Sequence, residues 1–477
     1  CKNSRPYYET KVMKFRKINN IFFVGIGGIG MSGIAELLHK LSFAVSGSDM
    51  HKNENVVRLQ KAGIKVSIGH DPSNVNGIDA LVYSSAIPME NPEIIRARQK
   101  GIPVIRRAEM LGELITVKET SIAVGGTHGK TTTSSMIGTI LHHAKKDPTL
   151  VVGGLVHNIN SNSNFGKGEI IVVEADEFDR SFLALKPTIN VVTNIELEHT
   201  DCYNNLQDLK DAFIQFCKSI PFYGESIVCI DSPAVREILP YIERPMTTYG
   251  RSRDAAYQAR NIRFNENKTT YTVSCGEECL GEINLNVPGE HNVLNSLAAV
   301  VLGLEMGLSF QNIQKGIQKY SGVRRRFDIK GIHNDIMVVD DYAHHPTEVE
   351  ATLKAAKAGW KRRVLAVFQP HLFTRTRDFF KEFSSALQIA DYVILTDIYP
   401  AREKSIPNIS SKLIFDDLKK VMNKRCVLLS DLDNLIELIF KKVQPGDMVI
   451  TMGAGSIWRY SDSFYNDLLT VNENELI

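Results

Sequence analysis

Short, almost wholly apolar segments recur along the chain, each followed by glycines or carboxylates and then by a stretch with helical spacing. The first, Phe22-Phe23-Val24, runs into Gly25-x-Gly27-x-x-Gly30 and a segment whose Ile34, Leu37 and Leu38 share one helical face, with Asp49 ending the next strand. This predicts a βαβ unit. Apolar segments over 80–83 and 103–105 extend it to a small parallel sheet that ends near residue 118. A second set of strands, over 122–124, 170–173, 189–192 and 227–230, is apolar on both faces, as parallel strands covered by helices are. Polar and apolar residues alternate over 257–287, which predicts an antiparallel excursion, and 291–302 returns to helix. The pattern lapses at 321–326, read as a linker. A third α/β segment follows, with strands over 337–339, 364–368, 393–396 and 448–452. The fold class is therefore α/β in three units: Rossmann-like over 13–118, a central parallel sheet like that of the P-loop ATPases over 119–322, and Rossmann-like again over 323–477. Residues 1–12 carry no apolar periodicity and are expected to be a disordered leader, with Met13 a candidate start.

Composition narrows the partners more than the fold. Hydrophobic residues make up 43% and charged residues 23%, enough apolar material for several cores. Lys and Arg number 56 against 54 Asp and Glu, so the overall charge points to no nucleic-acid partner, and anion binding must come from local clusters. The 7 cysteines are thinly spread, which excludes a disulfide framework, and the only close pair, Cys275 and Cys279, lacks a second pair of zinc ligands at suitable spacing. No apolar run approaches the roughly 20 residues of a membrane span, so a cytoplasmic protein without a membrane anchor is expected.

Two glycine-rich loops carry the chemistry. The first, with Gly25, Gly27, Gly28 and Gly30, fits the dinucleotide fingerprint, and Asp49 is placed to hold a ribose. That fingerprint encodes backbone approach to a pyrophosphate, so it admits any nucleotide diphosphate and by itself suggests an NAD-dependent dehydrogenase. The second loop, Gly126-Thr127-His128-Gly129-Lys130-Thr131-Thr132, follows a strand and opens a helix. Its amides can cradle phosphate, Lys130 can reach terminal phosphates, and Thr131 or Thr132 can offer a hydroxyl to a divalent cation. Glu174 and His199 follow other strands of the same sheet, and in a parallel sheet the strand ends share one edge, so Lys130, Glu174 and His199 are expected to converge. Hard oxygen ligands there suit Mg²⁺. Glu177 and Asp179 fit a solvated turn as well as they fit a site.

These residues and their order resemble the Mur ligase family, ATP-dependent amide-forming enzymes of peptidoglycan precursor synthesis. The resemblance extends through the motifs at 84–87, 174–177, 291–295, 326–328, 341–348, 368–371 and 397–403. It implies three domains, for a UDP-sugar, ATP and an amino acid. Gly25, Gly27, Gly28, Gly30, Asp49, Ser84 and Ser85 would then bind the UDP-sugar, and residues 126–132 the phosphates of ATP. His291, Asn292 and Asn295 would serve adenine, Arg326 phosphate and Asp341 ribose, with Thr131, Glu174 and His199 at the metal. Tyr342, His344, His371 and Arg375 would face the amino acid, and His199 or His344 would be the base. The 342–348 and 368–377 motifs narrow the resemblance to the alanine-adding branch, implying UDP-N-acetylmuramate and L-alanine as substrates, ATP and Mg²⁺ as cofactors, and a monomer or weak homodimer. A ligase recycling a murein tripeptide is the alternative within the family. Relatives commonly carry Arg where this chain has Leu372, so no carboxylate contact is carried over to that position.

Overall fold

The computed structural model describes residues 18–156, 161–198, 202–401 and 403–471. Three sheets carry the molecule. In the first, five parallel strands lie in the order Lys65–Ile68, Ala44–Asp49, Asn20–Val24, Ala80–Tyr83, Val104–Arg106. Strand order reverses between Asn20–Val24 and Ala80–Tyr83, and at such a switch point the loops diverge and leave a crevice. The glycine loop at 25–30 and the serines at 84 and 85 both leave from it. Phe23 and Val24 are fully buried, as are Leu81 and Val82, because helices cover both faces.

The central sheet has ten strands. Its parallel heart runs Met246–Gly250, Glu225–Cys229, Ile189–Val192, Thr120–Gly125, Ile170–Glu174, Thr149–Val156. The expected antiparallel excursion is a meander of Tyr257–Asn265, Lys268–Cys275 and Glu278–Leu285. Three strands escape the sequence pattern. Thr149–Val156 is interrupted by Gly153 and Gly154, Ser161–Asn164 is a polar edge, and Met246–Gly250 places two threonines in a short run. Helices Lys130–His143 and Glu290–Glu305 bury Ile137, Ile140, Leu297 and Val301 against Val124, Val172 and Tyr271 in one core.

The third sheet has the order Asp328–His333, Ile336–Asp341, Asp447–Met452, Arg363–Phe368, Tyr392–Thr396, Cys426–Leu429. Only its first pair is antiparallel. The α/β fold expected from the apolar pattern is therefore present, sheet by sheet. No helix among the described residues is long and apolar enough to cross a membrane.

Candidate active site

The second glycine loop leaves strand Thr120–Gly125 and enters helix Lys130–His143, whose N-cap, Gly129, has φ +83°. A β-carbon there would lie 2.3 Å from Oδ1 of Asn295, so both the dihedral and the space require glycine. Gly126, at φ +132°, is pressed against Thr193 in the same way. The result is a tight anion cradle at the positive end of a helix. Lys130 curls back over it, donating from Nζ to the carbonyls of Gly126 at 2.6 Å and Thr127 at 3.0 Å, and pairing with Glu177 at 2.7 Å. Burial works against the charge on Lys130, but the carboxylates of Glu177, Asp176 and Glu174 outweigh it and hold the ammonium above its ordinary range. Glu177, which sequence reading left open between turn and site, is buried and is the lysine's counter-ion.

Thr131 donates from Oγ1 to Glu174 at 2.9 Å, and the Gly153 amide donates to the other oxygen of Glu174 at 2.6 Å. Burial raises the Glu174 carboxyl, while Lys130 and these donors oppose it. A hydroxyl and a carboxylate beside the phosphate cradle are the hard oxygen set that suits Mg²⁺. His199, the third expected member, lies outside the described residues.

Beside the cradle is a cavity of about 310 Å³ lined by His291, Asn292, Asn295, Arg326, Asp341 and Thr132 among others. Asn295 donates to Asn292 at 3.2 Å, and Asn292 donates to the Pro288 carbonyl at 2.7 Å, so the two asparagines form a braced wall. Burial and neighbouring Arg326 push His291 down to about 4, which leaves it neutral. Asp341 accepts from the amides of Phe327 and Ala343, each at 2.8 Å, and burial raises its carboxyl to about 6 against the pull of Arg326.

Tyr342, His344, His371 and Arg375 approach the same region from the third sheet. Arg375 is buried and pairs with Glu198 of the central unit at 2.5 Å, while its Nη1 lies 3.1 Å from Nδ1 of His371. Burial, His344 and Arg375 lower His371 to about 3, so it is a neutral acceptor for that guanidinium. Nδ1 of His344 lies 3.0 Å from the Tyr342 carbonyl and 3.1 Å from Glu348, which directs Nε2 toward Glu198 at 3.7 Å. Tyr342 is stacked beneath the guanidinium groups of Arg325 and Arg326. Glu348 joins the parts, with His128 at 3.3 Å and Arg326 at 3.4 Å. Sequence reading gave neither Glu198 nor Glu348 a role of its own, although Glu198 adjoins His199 and Glu348 closes the 341–348 motif. A cavity of about 820 Å³ brings Lys52 to Asn55 of the first unit, the phosphate cradle, Glu174, Glu198, Arg326, Tyr342 and His344 together.

A further cavity of about 310 Å³ contains Gly28, Gly30, Ser84 and Ser85 of the first glycine loop, with Glu174 and Asp176 across it. Asp49 accepts from the Gly27 amide at 2.8 Å, so one of its oxygens fastens the loop rather than facing outward to a ribose. Arg107 also lines this cavity and was missed; the tandem Arg106-Arg107 at the end of strand Val104–Arg106 was the available signal.

A dinucleotide-type glycine loop, a P-loop-like cradle and a cavity shared by three α/β sheets are the marks of a nucleotide-using enzyme, and comparison with known proteins gives the family. Profiles described as Mur ligase family, catalytic domain; Mur ligase middle domain; and Mur ligase, glutamate ligase domain match residues 20–119, 124–303 and 325–455. The chain belongs to the Mur ligase family. It is 46% identical to a UDP-N-acetylmuramate–L-alanine ligase of Geotalea daltonii over 95% of this chain and 99% of that protein. A ligase of the same name from Syntrophus aciditrophicus is also 46% identical, over 99% of this chain and 98% of that one. Among solved structures, the UDP-N-acetylmuramate–alanine ligase of Thermotoga maritima superposes with a TM-score of 0.81 at 29% identity, covering 94% of this chain and 99% of that one. A murein peptide ligase of Psychrobacter arcticus shares the fold, with a TM-score of 0.68 at 24% identity.

Proposed function

We propose that this chain is the ATP-dependent ligase that joins L-alanine to the carboxylate of UDP-N-acetylmuramate in peptidoglycan precursor synthesis. The observation that carries the reading is the composite cavity, where loops from all three units meet around the phosphate cradle. The units then divide the work as 13–118 for the UDP-sugar, 119–322 for ATP and 323–477 for the amino acid.

A carboxylate resists an amine because oxide would have to leave, and ATP supplies the phosphoryl group that turns that oxygen into phosphate. The carboxylate attacks the γ-phosphorus and ADP departs; the alanine amine then attacks the acyl carbon and phosphate departs, with one proton given up by the amine. Lys130 and Arg326 offset the charge that gathers as carboxylate and phosphates approach. Thr131, Glu174 and, from the family resemblance, His199 are the groups that would hold Mg²⁺, which would supply positive charge against the phosphates. Arg375 takes the alanine carboxylate in the two-pronged geometry of a guanidinium. His344 is taken as the base, because its Nδ1 is committed to the Tyr342 carbonyl and Glu348, while Nε2 points into the shared cavity with Glu198 3.7 Å away. Its alternative, His199, is retained only as a metal ligand.

The deciding measurement is phosphate release with UDP-N-acetylmuramate and ATP, comparing L-alanine with a murein tripeptide as the amine. Release should depend on the acid and be supported by L-alanine; release with tripeptide alone would move the chain to the recycling branch.

A further inference from the structure

The side chains of His128, Glu196 and His345 form a cluster at the edge of the cavity beside the phosphate cradle, and no step of the ligation above is assigned to them. His128 belongs to the phosphate loop, Glu196 follows strand Ile189–Val192, and His345 precedes helix Pro346–Gly359 in the C-terminal unit. One donor atom from each lies within 4.8 Å of the others. Nε2 of His128 is 3.4 Å and Nδ1 of His345 is 3.9 Å from the same oxygen, Oε2 of Glu196. Bonds of about 2.0 to 2.2 Å to a tetrahedral ion place neighbouring ligand atoms roughly 3.3 to 3.6 Å apart, so the two distances to Glu196 already approach that geometry, and the ion would draw the two imidazoles together from within 4.8 Å.

Two further observations are independent of those distances. His345 is 5% exposed, and beyond the capping contact of its side chain with the Glu348 amide its ring nitrogens find no hydrogen-bond partner. A buried imidazole left so forfeits the hydration it had in the unfolded chain, and such orphaned atoms point to a missing ligand. Nδ1 of His128 is 3.3 Å from Glu348, which aims Nε2 into the cluster. A carboxylate behind a histidine, fixing its tautomer and ring orientation, is the usual support of a metal-ligating imidazole.

We propose that His128, Glu196 and His345 bind one transition-metal ion of the Zn²⁺ class, at a site distinct from the oxygen ligands Thr131 and Glu174, and that the ion ties the central unit to the C-terminal unit. Two imidazoles and one carboxylate favour Zn²⁺ or Co²⁺ over Mg²⁺, and leave the fourth corner of a tetrahedron for water.

Co²⁺ reports the geometry directly. Titrated into the full-length protein with Mg²⁺ in excess, it should give the intense visible bands of a tetrahedral site at one ion per chain, abolished by Zn²⁺. His345→Gln and Glu196→Gln should each weaken Co²⁺ binding at least tenfold, whereas Glu174→Gln should leave the bands intact. Zn²⁺ should raise the melting temperature of the unaltered protein and not that of His345→Gln. If one variant does not fold, the other carries the same comparison. Only weak octahedral absorption, or bands lost in Glu174→Gln but kept in His345→Gln and Glu196→Gln, would overturn the assignment.

Discussion

At the scale of single residues, the site works by holding charge in places from which water is excluded. Lys130 is the clearest case, since its ammonium is buried among loop carbonyls and the Glu177 carboxylate. Lys130→Ala should abolish turnover while calorimetric binding of the UDP-sugar survives, because the cavity at the first glycine loop is lined by neither Lys130 nor Glu177. Arg375 has two neighbours, Glu198 and His371, and retains donors for a substrate carboxylate. Arg375→Lys should raise the apparent alanine constant roughly ten- to a hundredfold, a loss of about 1.5 to 3 kcal/mol, with ATP and UDP-sugar constants little changed. Normal alanine saturation in that variant would hand the carboxylate to another group, Arg377 first. Leu372, the departure from the family pattern, adopts φ +71° at the N-cap of helix Phe373–Leu387 and donates its amide to Tyr399. Its backbone rather than its side chain therefore shapes this corner. His345 makes a pH prediction: burial and nearby His128 lower it to about 4 in the fold, against about 6.5 in an unfolded chain. Below 6.5 the unfolded chain binds the proton and the folded one does not, so this contribution to stability is complete above 6.5 and drains away as pH falls toward 4. Melting temperatures should fall over that window in metal-free protein, and His345→Gln should flatten the fall.

At the scale of elements, strand ends and the turns that follow them carry nearly all the chemistry, which is why so much was legible in the sequence. A buried parallel strand announces itself as an apolar run, and a phosphate-binding turn needs glycine where φ is positive, so 120–132 could be read without coordinates. The strand Thr149–Val156 could not, because Gly153 and Gly154 break the apolar run that would have marked it. Gly153 is there for the site, as its amide bonds Glu174 where a β-carbon would come within 2.9 Å of that carboxylate. Glu198 and Glu348 were illegible for another reason: their importance comes from partners 177 and 220 residues away in the chain, Arg375 and His128. Gly129→Ala tests the turn. It forces a non-glycine residue to φ +83° and into Asn295, so it should cost at least 1 to 2 kcal/mol by chemical denaturation, about what αL strain predicts, and raise the ATP constant more than the alanine constant. Adding Asn295→Ala removes the collision and should restore part of the lost stability; no recovery would show that the dihedral alone sets the cost.

At the scale of the whole molecule, the active site exists only where units meet, since each sheet supplies an incomplete set of groups. Thr347 donates to Glu196 at 2.6 Å, Arg375 pairs with Glu198, and Glu348 reaches His128, each bond joining the C-terminal unit to the central one. Glu348 is the most connected of these, for one carboxylate touches the phosphate-loop histidine, Arg326 and His344. Burial would raise its pKa, yet His344 and His128 hold it well below the usual carboxylate range, so it is ionised and central to a buried charge network. Truncating one member of such a network leaves the others buried without full compensation, at a cost on the order of 3 to 5 kcal/mol in the most buried cases. Glu348→Gln preserves shape and removes only the charge. It should lower the melting temperature and weaken both ATP and alanine, whereas Arg375→Lys weakens alanine alone. Saturating ATP should improve alanine binding in the unaltered enzyme through this carboxylate, and that coupling should be lost in the variant. Steady-state constants for each substrate, measured at low and saturating levels of the other, check this. Coupling retained at full strength in Glu348→Gln would mean that the units communicate through Thr347–Glu196 or Arg375–Glu198 instead.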